Sequence, residues 1–265
     1  MEVRGQHMKT ARGKEKCRYE LLDSIRGLVL VSMILFHACW DLVYIFGKDW
    51  IWYQGTGAYI WQQSICQTFI LLSGFCWSLG TKPAKRGLIV FLAGALVSAV
   101  TILFMPQDRV VFGVLTLIGS CMLFTVLLHR VLQYVPAGMG LAMNMFLFAM
   151  TKHINSGYIG FKTLFIIRLP INLYQGLILT FFGFPSPDFY STDYFSLFPW
   201  LFLFLSGYFL FGIFNKAGDG KILNKYFIRG IKPFSFLGKH SLIIYMLHQP
   251  VIYGVFSLLD KLSIL

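Results

Sequence analysis

Charge is scarce in this sequence: only 13% of its 265 residues are Asp, Glu, Lys or Arg, and the acidic ones number 11. Set against 57% hydrophobic residues and a mean hydropathy of +0.67, this excludes an ordinary soluble domain. Ten-residue segments of alternating polarity, which a membrane β-barrel needs, are also missing. In their place stand continuous apolar runs of about twenty residues, the length a helix needs to cross hydrocarbon. The fold class is therefore all-α, a polytopic membrane helix bundle.

Cysteine is sparse as well. Cys17, Cys39, Cys66, Cys76 and Cys121 are odd in number and lack metal-like spacing, and four lie inside hydrophobic runs, which reads as buried free thiols. The chain has no His-x-x-x-His pair, no serine-nucleophile elbow and no phosphate-cradling glycine motif, so no metal is expected. Inverted repeats and paired interrupted helices, the usual marks of transporters, are missing too, as are low-complexity stretches and domain linkers. The net charge of +12 gathers at predicted helix ends, so it signals membrane orientation and not nucleic acid.

Hydropathy places helices near 21–46, 58–80, 87–105, 110–133, 136–152, 194–214 and 236–259, about seven spans bounded by Gly, Pro or charge. Residues 1–20 form a basic cytoplasmic tail with no small-residue cleavage site after it, and 21–265 form one transmembrane domain. The tail, Lys82, Lys85 and Arg86, the His129-Arg130 turn, and the loop from Lys216 to Lys232 would share the cytoplasmic side. The N-terminus is then inside and the C-terminus outside. The stretch 155–190 holds Arg168 and Pro170 in an apolar run; a short outer helix, a re-entrant element or two further spans, making nine, all fit it. Trp50, Trp52, Tyr53, Tyr190, Tyr194 and Trp200 collect at the expected outer interface.

The first span carries four ionisable groups. At about 100° per residue, Asp23, Arg26, His37 and Asp41 share one narrow face. An ionised side chain near the bilayer centre costs about 2.5 to 3.5 kcal/mol on insertion scales, so such groups normally face a bundle interior and mark function. Asp23 and Arg26 also suit a plain i,i+3 pair at the interface. His37 lies deeper, and Asp41 stands one turn beyond it, near enough to hydrogen-bond its imidazole; a base with an orienting carboxylate, a packing histidine and a proton relay are the readings. The relay would suit a proton-coupled transporter or lipid-handling protein.

On the last helix Ser241, Tyr245 and His248 form a second polar stripe, which either faces the first across a cavity or joins helices by hydrogen bonds. Gln63 and Gln67 lie one turn apart on the second span, and Ser73-Gly74 supplies small residues for close helix approach. Asp193 either binds an acceptor hydroxyl or amine, or caps the helix that follows it. Arg168 and Lys152 would stand near the outer opening, and Lys239 and His240 near the cytoplasmic end of the last span.

The pattern L-D-x-I-R-G, followed ten residues later by the histidine of L-F-H, resembles the transmembrane acyltransferase superfamily, most closely the heparan-alpha-glucosaminide N-acetyltransferase catalytic domain family. Similar stretches are QSICQTFILLSGFCWSLG, FGVLTLIGSCMLF, STDYFSLFPWLFLFLSGY and LGKHSLIIYMLHQPVI. The resemblance implies acetyl transfer from cytoplasmic acetyl-CoA to a hydroxyl or amine of an extracytoplasmic sugar or glycolipid by a multi-pass protein of the bacterial plasma membrane. His37 would be the central catalytic residue, with Asp41 behind it as base partner, and Arg26 would meet the CoA diphosphate, helped by Asp23 and Lys239. Gln67 and Tyr245 are candidates for the oxyanion donor, and Asp193 and His248 for acceptor contacts. Arg26 and His37 stand about 16 Å apart along the helix, comparable to an extended pantetheine arm.

Overall fold

The computed structural model describes residues 19–161, 165–216 and 221–264. The basic tail expected over 1–20, Cys17 within it and the 217–220 stretch of the basic loop thus fall wholly or almost wholly outside the described residues. The elements in chain order are α1 (Glu20–Tyr44), α2 (Thr56–Trp77), α3 (Pro83–Phe104), α4 (Val114–Leu132), α5 (Ala137–Thr151), β1 (Tyr158–Phe161), β2 (Phe165–Arg168), α6 (Gly176–Phe182), α7 (Leu197–Lys216), α8 (Lys221–Tyr226), α9 (Lys232–Lys239) and α10 (Ser241–Lys261). Local chemistry sets the ends: Glu20 and Asp23 sit in the first turn of α1, where the helix dipole favours acid. Pro83 begins α3, where its missing N–H is no loss.

Among the described residues five helices, α1, α3, α4, α7 and α10, are long and apolar enough to cross a membrane. A helix stands at each of the other two expected spans as well. α2 runs 22 residues, with Gln62, Gln63 and Gln67 lowering its hydropathy, whereas α5 has 15 residues, about 22 Å. In 155–190 the chain forms a β1–β2 hairpin, pairing Tyr158 with Arg168, and then the seven-residue α6. At about 10 Å that helix cannot cross about 30 Å of hydrocarbon, which removes the nine-span alternative. Pro170 cuts the apolar run on one side, and Gly183, at φ 127°, ends it on the other.

The span expected over 236–259 is present as α10, with its start moved to Ser241, because the chain turns at His240 and assigns residues 236–239 to α9. Close backbone packing explains the break. A Cβ on Gly27 would stand 1.9 Å from the Phe234 carbonyl oxygen, and one on Gly238 the same distance from that of Asp23, so α9 is held against the first half of α1. α10 then follows the second half of α1 in the same direction, reaching Asp41 through Gln249 and Phe46 through Phe256.

The other helices pair through glycines too: Gly74 and Gly207 join α2 to α7, and Gly94 and Gly119 join α3 to α4. Leu30, Ile70, Leu117 and Phe204 lie at the buried centre of these contacts. At one end of the bundle the 108–114 and 190–196 loops are tied together by Thr192 N–H to Arg109 O, 3.1 Å, and Phe195 N–H to Phe112 O, 2.8 Å. Tyr53, expected in an interfacial belt, is instead buried there, its hydroxyl donating to Phe36 O over 2.9 Å. Lys82, Lys85 and Arg86 at the start of α3, and His129 and Arg130 within the last turn of α4, stand at the opposite end. Cys39, Cys66, Cys76 and Cys121 are free thiols, two of them buried.

Candidate active site

His37 sits in the second half of α1, where the α1–α10 pairing brings the two polar stripes together. Its ring packs against that of His248 with centroids 4.8 Å apart. A cavity of about 160 Å³ beside it is lined by Gln62 and Cys66 of α2, Thr101 of α3, Asp108 and Asp193 of the end loops, and Tyr245 and Gln249 of α10. Nδ1 of His248 lies in a hydrogen bond with the Tyr245 carbonyl. A carbonyl only accepts, so Nδ1 carries the hydrogen and Nε2 keeps its lone pair. That Nε2 is buried without a partner.

Asp41 does not do what its spacing suggests. Its Oδ1 accepts from Nε2 of Gln249 at 2.5 Å, and among the described residues no hydrogen bond joins it to His37. One turn of helix brings the two side chains to the same face, but the hydrogen bond that the fully buried carboxylate accepts comes from the amide of α10, and its Oδ2 has no hydrogen-bond partner. Asp41 therefore anchors the residue next to His248 and fixes α10 against α1.

The other end of the stripe is basic. Arg26 donates from Nη1 to Asp23 Oδ1 at 3.1 Å, the expected i,i+3 pair. Arg26 also lines a separate cavity of about 200 Å³, together with Arg86, Ser73, Ser241 and Tyr245. Arg86 enters this space over Gly80, whose missing side chain makes the room, and its Nη1 is buried without a hydrogen-bond partner. A half-buried guanidinium with one nitrogen in that condition suits an anionic ligand. Tyr245 and Val114 line both cavities and stand between the basic space and the histidine space.

Asp193 lies over the histidine cavity, where its Oδ2 accepts from the Val114 N–H at 3.4 Å. It thus serves the first residue of α4 and not the helix that follows it. Burial pushes its carboxyl up to about 6, against the opposing pull of that Val114 hydrogen bond. Gln67 is not brought to His37: its amide pairs with Gln63 at 3.5 Å, and Gln62 lines the cavity instead. Lys239 is exposed at the end of α9 and lines none of the described cavities, and Arg168 and Lys152 are exposed away from them. Two residues of consequence escaped sequence reasoning. Arg86 reads as a topology charge in the TKPAKRG turn, while Gln249 lies four residues after Tyr245, a spacing that could have revealed it.

Among the described residues no three His, Cys, Asp or Glu side chains gather as metal ligands would. Comparison with curated proteins and with solved structures gave no match. The family model for heparan-alpha-glucosaminide N-acetyltransferase, catalytic, matches residues 18–250, a stretch that contains Arg26, Arg86, His37, Asp193 and His248. A multi-pass helical bundle with a polar interior and this match over most of its length belongs to that family of membrane acetyltransferases.

Proposed function

We propose that the chain takes an acetyl group from acetyl-CoA held at its Arg26–Arg86 end and transfers it to a hydroxyl or amine of a sugar or glycoconjugate presented at its Asp193 end. The observation that carries this reading is the pair of cavities meeting at Tyr245, one basic and one lined by His37, whose ring packs on that of His248. α1 spans both, with Arg26 and His37 about 16 Å apart along its axis. The excess of basic residues at the Arg26 end supports a cytoplasmic position for that side, with the acceptor opposite.

The reaction breaks the thioester C–S bond and forms a C–O or C–N bond, while the acceptor's proton travels to the departing thiolate. His37 takes that proton directly, or first carries the acetyl group as an acyl-imidazole; the atoms balance either way. The lone pair on His248 Nε2 offers a second proton acceptor against the His37 ring. Asp41 is a positioning residue that acts through Gln249, and Tyr245 separates the donor space from the acceptor space.

Thermal unfolding of detergent-purified protein with and without acetyl-CoA tests the donor site, since a ligand that binds only the folded form must stabilise it. Wild type gains stability at saturating acetyl-CoA; Arg26→Ala and Arg86→Ala lose most of the gain, and Lys239→Ala keeps it. Wild-type protein that is folded yet gains nothing would remove the donor assignment.

Asp193 supplies a pH signature. Its raised value leaves it neutral below pH of about 6 and ionised above, so its grip on an acceptor amine or hydroxyl weakens as pH falls through that value. The acceptor KM of the wild type therefore rises on acidification. Asp193→Asn shows a high KM without that limb, and an unchanged pH profile would exclude contact with the acceptor. The sign for stability is opposite: a carboxyl raised on folding costs stability as pH climbs from about 4 to about 6.

A further inference from the structure

The largest of the three cavities, about 480 Å³, is a cleft between α3 and α10 that runs from His37 and His248 to the side of the bundle. α3 packs on α4 and α10 packs on α1, leaving this gap between the two pairs. Its inner end is polar: His248 Nε2 is buried there without a hydrogen-bond partner, against the ring of His37, and Thr116 Oγ1, likewise without one, lines the same cleft next to Gly94 of α3. Its outer walls are apolar, formed by Leu96, Val97 and Val100 of α3 and by Pro250 and Tyr253 of α10. Leu96 is 54% exposed, Val100 45% and Tyr253 45%, so the mouth lies on the face of the bundle that meets lipid and not on a face that meets water.

A water-soluble sugar has no partners along such a wall, because each hydroxyl that left water there would go unpaired. An amphipathic molecule fits both ends. Resting on the acetyl-transfer reading above, we infer that the acceptor is a membrane-resident, lipid-linked sugar, its hydrocarbon chain lying between α3 and α10 and its head reaching the two histidines. The polar end of the cleft also borders Asp193, so a head group placed at His37 touches the loop end of the bundle while its chain stays in the bilayer. Acetyl-CoA, by contrast, meets its basic cavity at the other end, with Tyr245 and Val114 between. The two substrates therefore need not compete for one entrance.

The test uses the whole protein in phosphatidylethanolamine–phosphatidylglycerol nanodiscs, with a long-chain alkyl glucosaminide bearing a diazirine in its tail as the probe. Cross-links mapped by mass spectrometry fall on residues 96–100 and 246–253, and excess unlabelled alkyl glucosaminide reduces them at least about tenfold. Free glucosamine, phosphatidylglycerol and long-chain acyl-CoA do not. Val97→Trp, which fills the cleft, lowers cleft labelling by about the same factor while acetyl-CoA still stabilises the variant. Labelling outside the cleft, equal displacement by phosphatidylglycerol, or displacement by long-chain acyl-CoA in place of the glucosaminide would overturn the inference; the wild-type map decides even if the variant does not fold. Cleft labelling that obeys these competitions in a protein that acetyl-CoA fails to stabilise would support the lipid site and sink the acetyl-transfer reading alone.

Discussion

His37→Gln lowers acetyl transfer about 10²- to 10⁴-fold, the range lost with a general acid–base group, and leaves the thermal stabilisation by acetyl-CoA unchanged. Glutamine keeps comparable bulk and hydrogen-bonding capacity but neither accepts a proton at this position nor carries an acetyl group. The separation along α1 protects donor binding, because Arg26 lies about 16 Å away in another cavity. The measurement is release of free CoA and label transfer to acceptor, set beside thermal unfolding of the same preparation. His248→Gln is the informative partner. If transfer survived in His37→Gln and vanished in His248→Gln, the central role would move to α10, a result the close packing of the two rings makes chemically reasonable and the proposed mechanism would not survive.

The stripe of Asp23, Arg26, His37 and Asp41 is legible because helix periodicity alone puts charge on one face, and hydrocarbon makes charge on that face expensive. Its division of labour is not legible. Sequence spacing gives the distance from Asp41 to His37 along one helix, but it cannot show that an amide from a helix more than 200 residues later takes the carboxylate. Arg86 was hidden for a related reason: a basic residue at a turn satisfies the orientation rule whether it points to water or into a cavity. Only the approach of Gly80 and the unpaired guanidinium nitrogen separate the two. The same limit explains the last span. Within the run from Phe236 to Leu259 the Gly238-Lys239-His240-Ser241 stretch interrupts the apolar pattern, and the backbone contact between α9 and α1 that turns the chain there is a tertiary fact that hydropathy does not carry.

The lateral cleft sharpens this contrast between local pattern and tertiary arrangement. Each of its walls reads, in sequence, as an ordinary lipid-facing helix surface. Pro250 marks the one local irregularity: lacking an N–H, it cannot bond the Met246 carbonyl, so α10 loses a rung where it borders the cleft. The opening itself arises from which helices pair and which do not.

Gly74→Ala costs about 3 kcal/mol or more, beyond the usual range for one added methyl in a packed interior, while Gly138→Ala is neutral or stabilising by about 0.5 to 1 kcal/mol. Both changes put the same atom into a helix, so intrinsic propensity favours both equally. The difference lies in what the atom meets. On Gly74 it would stand 1.9 Å from the Phe204 carbonyl oxygen, and the reciprocal position on Gly207 stands 2.0 Å from that of Leu71, so the α2 and α7 backbones are in direct contact. Backbone cannot rotate aside as a side chain does, and the helices must separate, opening the core around Ile70 and Phe204. On Gly138 the new atom has nothing within 4 Å. In lipid no gain in hydrophobicity offsets the separation, since the tails are as apolar as the packed side chains. Thermal unfolding followed by size-exclusion chromatography checks the pair: Gly74→Ala should yield little monodisperse protein where Gly138→Ala behaves as wild type. Equal behaviour would mean that α2 and α7 do not approach through these glycines. Because α2 carries Gln62 and Cys66 to the His37 cavity, the same result would also unseat the wall of the site that this helix forms.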